Sequence, residues 1–191
     1  MTQQKSGPTA LDLPQVDPLP DATQRYFDIC DEKLGFVPNV LRAFAFDVKK
    51  LNAFTAMYND LMLGDSTLSK LEREMIAVAV SAENHCHYCL VAHGQAVRAL
   101  SGDPTLGAAL VTNYRVASIS AKQRSMLDFA LKVTKGSATV EETDRETLRN
   151  EGFGDRDIWD IVAIASFFNM TNRLASATGM TPNAEYHALN R

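Results

Sequence analysis

Two cysteines and a histidine share one short segment of this 191-residue chain, at Cys86, Cys89 and His93. Residues three and seven positions apart lie on the same face of a helix, so both thiols and the imidazole face the same way. The helix is predicted to start after a candidate cap at Asn84, which places Cys86 in its first turn. Unpaired backbone N–H groups and the positive end of the helix dipole favour a thiolate there. We therefore expect at least one of these cysteines to be reactive near neutral pH.

A carboxylate, Glu74, lies on the helix predicted immediately before this segment. A carboxylate is costly to bury unless a partner hydrogen-bonds it, and an antiparallel helical hairpin would bring Glu74 back toward His93. In such a chain of carboxylate, imidazole and thiol, the carboxylate fixes the imidazole tautomer and the imidazole ionises the sulfur. These residues predict a thiol-based site formed by Glu74, Cys86, Cys89 and His93.

The spacing of Cys86 and Cys89 is suited to redox chemistry. On a regular helix, Cβ atoms three residues apart are about 5–6 Å from each other, whereas a disulfide prefers roughly 3.5–4.5 Å. A disulfide here would need the looser geometry of a helix start, and such a bond is easily reduced. We therefore expect a disulfide that forms and breaks in a reaction cycle, not a structural crosslink.

Metal binding is the main alternative for the same segment. The potential ligands are Glu74, His85, Cys86, His87, Cys89 and His93. They are enough for one zinc ion, but structural zinc usually joins two separated ligand pairs, and the second pair is missing from the sequence. We favour redox chemistry over a zinc site and over two inert buried thiols, and we expect no metal or other cofactor.

The remaining residues of chemical interest receive structural interpretations. We predict that His85 and His87 are solvated polar residues, because neither lies on the stripe of the two cysteines, and that His187, in the polar tail 183–191, is a surface residue. Cys30 has no partner nearby in the sequence and is predicted to be a small buried hydrophobe. Trp159 belongs to an apolar helix, where a core or subunit contact is expected.

The composition excludes several classes of protein. Lys and Arg total 19 against 23 Asp and Glu, a net charge of −4, so there is no basic excess to bind nucleic acid or an anionic membrane. The start of the chain lacks an apolar leader, and the longest apolar runs, 75–80 and 161–165, fall far short of the roughly 18 residues that span a membrane. An odd number of cysteines does not form a secreted disulfide framework. We expect a cytoplasmic protein without a membrane segment.

The pattern along the chain predicts an all-α fold. Residues 1–20 contain four prolines and are predicted to form an extended N-terminal arm, followed by a single helical domain over 21–191. Periodicity, caps and terminating glycines predict helices over 21–34, from 39, 47–63, 69–82, 86–100, 103–113, 120–134, 139–150 and 155–177. No segment shows the alternation typical of a strand.

The sequence also contains a weak internal repeat. The pattern that begins at Leu68-Ser69 and continues through Arg73 recurs at Ile119-Ser120 and Arg124, with apolar residues at matching positions after each arginine. This similarity indicates a duplicated helical hairpin, of which the second copy carries no cysteine.

The chemical motif resembles the active-site signature of the alkylhydroperoxidase D (AhpD) family, within the carboxymuconolactone decarboxylase superfamily. Glu74, eleven further residues and then Cys86-x-x-Cys89-x-x-x-His93 keep the residue types and the spacing of that signature. The resemblance covers most of the chain after the arm. The flanking segments that resemble the peroxidase-related branch of this family are 34–39, 168–169 and 172–173.

The resemblance implies an AhpD-like helical fold in homo-oligomers, often trimers or hexamers, and peroxide reduction by thiols without haem, flavin or metal. It implies that Cys89 is activated by His93 and attacks the peroxide, that Cys86 is the resolving cysteine, and that Glu74 orients His93. The implied partners are a small hydroperoxide and an external dithiol of the lipoyl or thioredoxin type. Tyr88 departs from the alkylhydroperoxidase proper, which has a histidine immediately before its second cysteine. A tyrosine donates a hydrogen bond but does not readily shuttle protons at neutral pH.

Three functions are therefore considered. The first is an antioxidant, thiol-dependent peroxidase that uses Cys86 and Cys89 with His93 and Glu74. The second is a redox-sensing or binding module that uses the same cysteine pair without rapid turnover. The third, a decarboxylase-type enzyme of the superfamily, is the weakest, because lactone decarboxylation gives no reason for two vicinal thiols.

Overall fold

A computed structural model describes residues 7–191, and over these residues every regular element is helical. The α-helices are α1 (Asp21–Leu34), α2 (Asn39–Phe44), α3 (Val48–Tyr58), α4 (Lys70–Glu83), α5 (His87–Ser101), α6 (Pro104–Asn113), α7 (Ala121–Gly136), α8 (Glu142–Asn150) and α9 (Asp155–Ala177). A π-helical segment, Asn59–Leu63, and the 3₁₀ turns Tyr114–Val116, Ser137–Thr139 and Ala184–His187 lie between or after them. The all-α prediction is confirmed. No helix in this part of the chain is long and apolar enough to cross a membrane.

Helix α4 is the centre of the fold. It begins with a capping box, in which the Ser69 hydroxyl accepts the N–H of Glu72 and the Glu72 carboxylate accepts the N–H of Ser69. Every residue from Arg73 to Ser81 is buried, and the helix packs against α5, α6, α7 and α9. Because protein surrounds this helix, a polar side chain on it must find its partner within the protein.

The chain reverses sharply between α4 and α5. Asn84 ends α4, His85 adopts a left-handed conformation with φ of 53°, and Cys86 is the N-cap of α5. The prediction that Asn84 caps α5 is wrong, because its side-chain amide instead donates to the Oδ1 atoms of Asn169 and Asn172 on α9, each at 3.0 Å. Cys86 itself therefore occupies the N-cap position, towards which the unpaired backbone N–H groups of the first turn of α5 point.

Helix α3 begins after Asp47, whose carboxylate accepts two backbone N–H groups, and it continues into the π-helical segment Asn59–Leu63. Nη1 of the buried Arg73 donates to the carbonyl oxygens of Leu61 and Gly64, at 3.2 and 2.9 Å. The arginine thereby satisfies carbonyl groups that the end of this element leaves free. The predicted end of the element near residue 63 is confirmed.

The described part of the N-terminal segment, residues 7–20, runs over the surface without a helix. The N–H of Ala10 donates to the carbonyl of Thr178 at 2.9 Å, so this segment is fixed to the end of α9. Gly179 has a φ of 64°, and a Cβ atom there would lie 2.9 Å from the Cβ of Ala10, so only glycine fits. Residues 1–6 of the predicted arm lie outside the described residues.

Helix α8 begins later than its sequence predicts. Its first residue is Glu142, and the Asp144 carboxylate accepts the N–H of Glu141 at 2.7 Å. Thr139, the first residue of the helix predicted over 139–150, instead donates its hydroxyl hydrogen to the carbonyl of Gly136 at 2.8 Å. Thr139 thus belongs to the 3₁₀ turn that ends α7, and it is not available to start α8.

Candidate active site

Glu74 and His93 form a buried hydrogen bond between α4 and α5. Oε2 of Glu74 lies 2.7 Å from Nδ1 of His93, and the two side chains are 9% and 12% exposed. A carboxylate only accepts, so the proton lies on Nδ1 and, in the neutral imidazole, Nε2 keeps its lone pair. The ring of Phe168 packs edge-to-face against the imidazole at a centroid distance of 4.7 Å and fixes its orientation. The structure therefore brings together the two residues that the hairpin was predicted to join.

Cys86 is fully buried at the N-terminus of α5. A hydrogen bond from the Cys89 thiol lowers the pKa of Cys86 to about 6, against the effect of burial, and the backbone N–H of Cys89 and the side chains of Ser176 and Asn172 act in the same direction. Donors that converge on one sulfur stabilise its thiolate. At neutral pH the cysteine pair accordingly carries one negative charge.

Cys89 behaves in the opposite way. Its pKa is raised well above the usual value, because its thiol donates to Cys86, because it is buried and because the charge of Cys86 disfavours a second one. The two sulfurs therefore share one proton, and the resting charge lies on Cys86. Since the proton lies in a hydrogen bond between the sulfurs, its shift toward Cys86 makes Cys89 the thiolate.

A polar network on α9 supports the cysteine pair, and the sequence did not reveal it. Nδ2 of the fully buried Asn172 donates to the Ser81 hydroxyl at 2.9 Å, while its Oδ1 accepts from Asn84. Hydrogen bonds from Asn172 and Ser81 also partly offset the rise in the pKa of Cys89. One feature of the sequence could have revealed this network, namely the amide of Asn172 on the apolar face of a long helix, because a buried amide needs hydrogen-bond partners.

An apolar cavity of about 280 Å³ lies in front of this site, and Cys89, His93 and Glu74 are on its wall. Cys86 is not among the lining residues and lies behind Cys89. Aromatic and aliphatic side chains form much of the remaining wall, among them Leu41, Phe44, Phe54, Leu63, Phe167 and Met180. A small ligand in this cavity meets Cys89 before Cys86.

Tyr88 anchors one side of the cavity. Its hydroxyl accepts the backbone N–H of Val40, near the start of α2, at 2.9 Å. Burial raises the pKa of Tyr88 far above its usual value. Tyr88 therefore holds α2 against the cavity and stays protonated.

The other residues of chemical interest lie at the edges of the site or away from it. His85, His87 and His187 are exposed, as predicted. Cys30 packs against the core, as expected of a small hydrophobe, but it is only partly buried. Because α1 packs across the cavity, this thiol also lies on the cavity wall, which its isolation in the sequence did not indicate. Trp159 is 71% exposed, so it does not belong to the core of the subunit.

The positions of the candidate zinc ligands can also be compared with what a metal site needs. Among residues 7–191, no group of three or more His, Cys, Asp or Glu side chains is arranged to hold a metal ion. The hydrogen bonds of the site instead join the candidate ligands to one another, Glu74 to His93 and Cys89 to Cys86.

Comparison with known proteins identifies the family. Residues 50–111, which include all four motif residues, match the Carboxymuconolactone decarboxylase family. The crystal structure of an uncharacterized peroxidase-related protein from Silicibacter sp. TM1040 is 71% identical over 100% of both chains, with a TM-score of 0.96. The alkylhydroperoxidase AhpD core of an uncharacterized peroxidase-related protein from Ralstonia eutropha JMP134 is 44% identical over 98% of both chains, with a TM-score of 0.93. The chain belongs to the AhpD-like, peroxidase-related branch of the carboxymuconolactone decarboxylase family.

A more distant match supports only the fold of this AhpD-like protein. The debrominase Bmp8, in complex with 2,3,4-tribromopyrrole, is 17% identical, with a TM-score of 0.76 over 94% of this chain and 96% of its own. A search of curated proteins found no match. The motif residues of the AhpD-like chain thus lie within the region that the family model matches, and three of them, Glu74, Cys89 and His93, line the cavity.

Proposed function

We propose that this AhpD-like protein reduces organic hydroperoxides through its Cys86–Cys89 pair, as an antioxidant enzyme. The observation that carries the proposal is the common placement of Cys89, His93 and Glu74 on the wall of an apolar cavity, with Cys86 hydrogen-bonded behind Cys89. A nucleophile, a group that holds a proton and a group that orients it are the parts that such a reaction needs.

The reaction starts from the monoanion of the cysteine pair, while Nε2 of His93 carries the proton that the pair has lost and Glu74 stabilises the resulting positive charge. The remaining proton moves to Cys86, and the Cys89 thiolate attacks the terminal oxygen of the hydroperoxide. An S–O bond forms, the O–O bond breaks, and the electron pair leaves on the second oxygen, which takes the proton from His93 and departs as an alcohol. The Cys86 thiol then attacks the sulfenic acid of Cys89, which gives the disulfide and water.

An external dithiol must reduce this disulfide by supplying two electrons and two protons. Cys86 and Cys89 are 0% and 4% exposed, and of these two cysteines Cys89 is the one that lines the cavity. Access of this kind favours a slender dithiol, such as a lipoyl group, over the broad surface of a thioredoxin. Exchange begins by attack on the Cys89 sulfur and releases Cys86.

The direct test is consumption of cumene hydroperoxide with dihydrolipoamide as the reductant. The wild-type protein should turn over, whereas Cys89→Ser should not exceed the rate of free dithiol. When the dithiol is left out, Cys86→Ser should consume one equivalent per subunit and stop at a sulfenic acid on Cys89, which a dimedone adduct would reveal by mass spectrometry. Cys30→Ser is the matched thiol control and should retain turnover. Equal rates for wild type and Cys89→Ser would overturn the proposal.

Redox sensing is the second candidate, and the near-complete burial of both cysteines favours it, because burial slows reduction by a protein partner. A sensor would form the Cys86–Cys89 disulfide with one equivalent of oxidant and change its assembly, without multiple turnovers. The family resemblance predicts a trimer or hexamer, and such an assembly would cover the exposed apolar side chains of Trp159 and Met170 on α9. Size-exclusion chromatography of the reduced and oxidised forms, alongside the turnover assay, separates the two candidates.

A further inference from the structure

The cavity in front of Cys89 is rich in phenol groups. Four of the five tyrosines of the chain line it, namely Tyr26, Tyr58, Tyr88 and Tyr186. The fifth, Tyr114, lies outside the cavity, where its hydroxyl bonds Asp128. Since the rest of the wall is largely apolar, these hydroxyls are among the few groups that can orient a ligand there.

Two of the four hydroxyls are already used by the protein. Tyr88 accepts the N–H of Val40 at 2.9 Å, and Tyr26 donates to Oδ1 of Asn59 at 3.2 Å. These bonds tie α5 to α2 and α1 to the π-helical segment. Both tyrosines therefore have structural roles in the cavity wall.

The other two hydroxyls have no protein partner among residues 7–191. Neither Tyr58 nor Tyr186 makes a side-chain hydrogen bond there, although both line the cavity. For each of them burial is the largest cause of a raised pKa, and the negative charge of Glu74 contributes in the same direction. Both phenols consequently stay protonated, and each presents a donor for which the described protein supplies no acceptor.

Tyr58 is the one of these two that the structure places beside the reacting groups. Its ring lies 6.4 Å from the imidazole of His93 between centroids, and Phe54 and Phe167 hold it at 6.2 and 6.3 Å. It is the last residue of α3, directly before the π-helical segment Asn59–Leu63. Such widened segments occur frequently at functional sites, because they redirect the side chains beside them.

We propose that the hydroxyl of Tyr58 donates a hydrogen bond to the leaving oxygen of a hydroperoxide bound in this cavity. The inference rests on the proposed peroxidase function and adds a residue that touches the substrate. While Cys89 bonds the terminal oxygen, negative charge develops on the oxygen bound to carbon, and the phenol stabilises that charge until His93 supplies the proton. The O–H bond of Tyr58 does not break, so the tyrosine is unchanged after the reaction.

The donor should matter most where the leaving oxygen is most basic. A hydrogen bond to an atom that gains charge in the transition state accelerates the reaction, and its effect grows with the charge that the atom carries. Alkyl hydroperoxides release strongly basic alkoxides, whereas peroxy acids release weakly basic carboxylates. Tyr58 should therefore contribute strongly to the reduction of the first class and little to that of the second.

The test is the rate of disulfide formation in a single turnover of reduced protein, for wild type and Tyr58→Phe, with tert-butyl hydroperoxide and with peracetic acid. Tyr58→Phe should slow the reaction with the alkyl hydroperoxide by about tenfold to a hundredfold. With the peroxy acid, Tyr58→Phe should slow the reaction by less than about threefold, because the carboxylate oxygen that leaves needs little stabilisation. Tyr114→Phe removes a hydroxyl outside the cavity and should match wild type with both oxidants.

The outcomes separate the inference from the function on which it rests. If wild type reacts with both oxidants and Tyr58→Phe reacts equally fast, the inference is overturned and the proposed function stands. An equal loss with both oxidants also overturns it, because a merely structural defect would not distinguish the leaving groups. A wild-type protein that forms no disulfide faster than free thiols react would overturn the proposed function and the inference together.

Discussion

Helices α4 and α7 begin with the same kinds of contact, but α4 carries a residue of the candidate active site at the position where α7 carries a serine. Each starts with a capping box, formed by Ser69 and Glu72 in α4 and by Ser120 and Gln123 in α7. Four residues after the capping serine, each helix carries an arginine that donates to carbonyl groups of the segment before it. Arg73 bonds Leu61 and Gly64, and Arg124 bonds Tyr114, Arg115 and Ala117.

The two helices diverge at the next residue. Glu74 follows Arg73 and is buried against His93, whereas Ser125 follows Arg124 and is only partly buried. After α4 the chain forms α5 with both cysteines, but after α7 it forms a short turn and α8, which carry no cysteine. The repeated part is therefore a local device that starts a helix, and the site depends on the residues that come after it.

The two helices share the contacts that start them, but they do not share the residues of the candidate active site. Caps and arginine contacts involve residues close in the sequence, so both copies of the repeat keep them. A buried carboxylate is costly without a partner, and in the hairpin of α4 and α5 His93 provides the partner for Glu74. Substitution of the two capping serines should consequently have equal effects on stability, whereas substitution of the residues that follow the two arginines should have very different effects on activity.

The largest expected difference is at the position after each arginine. Glu74→Gln should lower the first-turnover rate of hydroperoxide reduction about 100-fold, because the amide cannot stabilise an imidazolium and can impose the wrong tautomer on His93. Ser125→Ala, at the equivalent position of α7, should leave the rate unchanged. Stopped-flow measurement of disulfide formation compares the two variants, and similar rates in both would show that the Glu74–His93 contact is only structural.

The second expectation concerns pH, because only the first hairpin contains a cysteine pair that ionises near neutrality. The pKa of Cys86 is about 6, so the active monoanion is present above that pH and is lost as the pH falls below it. The first-turnover rate should decrease about tenfold for each pH unit below this midpoint. Ser176→Ala removes a donor to the Cys86 sulfur and should move the midpoint upward, whereas Ser125→Ala should not move it. A profile that is flat between pH 5 and 7, roughly the range around this midpoint, would contradict the assignment.

The smallest expected effect is shared by both helices. Ser69→Ala and Ser120→Ala each remove one capping hydroxyl from an exposed helix start, and each should lower the free energy of unfolding by about 1 kcal/mol. Urea denaturation monitored by circular dichroism measures both values. A loss several times larger in one helix would show that the two starts are not equivalent and would weaken the case for a repeat.

Much of the local structure could be predicted from the sequence. The bounds of α9, the cap at Asp47 and the proline start of α6 follow from residue types that act within one helical turn. The cap of α5 was predicted wrongly in this way, because Asn84 is a preferred N-cap residue type, whereas Cys86, which is the N-cap, is not. The contact of Asn84 with α9 selects Cys86, and no local pattern shows that contact.

The candidate site, too, could be predicted from the sequence only in part. Spacing alone placed Cys86, Cys89 and His93 on one face, and a hairpin argument brought Glu74 toward His93. Neither predicted that Cys30 lines the same cavity, that Asn172 supports the cysteine pair or that Tyr58 stands beside His93. These residues belong to α1, α9 and α3, which come together only through packing.

The order of residues along the chain specifies the helices, their caps and the spacing of the reactive groups, because these depend on interactions between residues a few positions apart. Packing of distant helices sets which sulfur carries the resting charge and which one meets the cavity. Both outcomes depend on donors and walls that those helices supply, and on the exclusion of water, which strengthens every hydrogen bond at the buried pair.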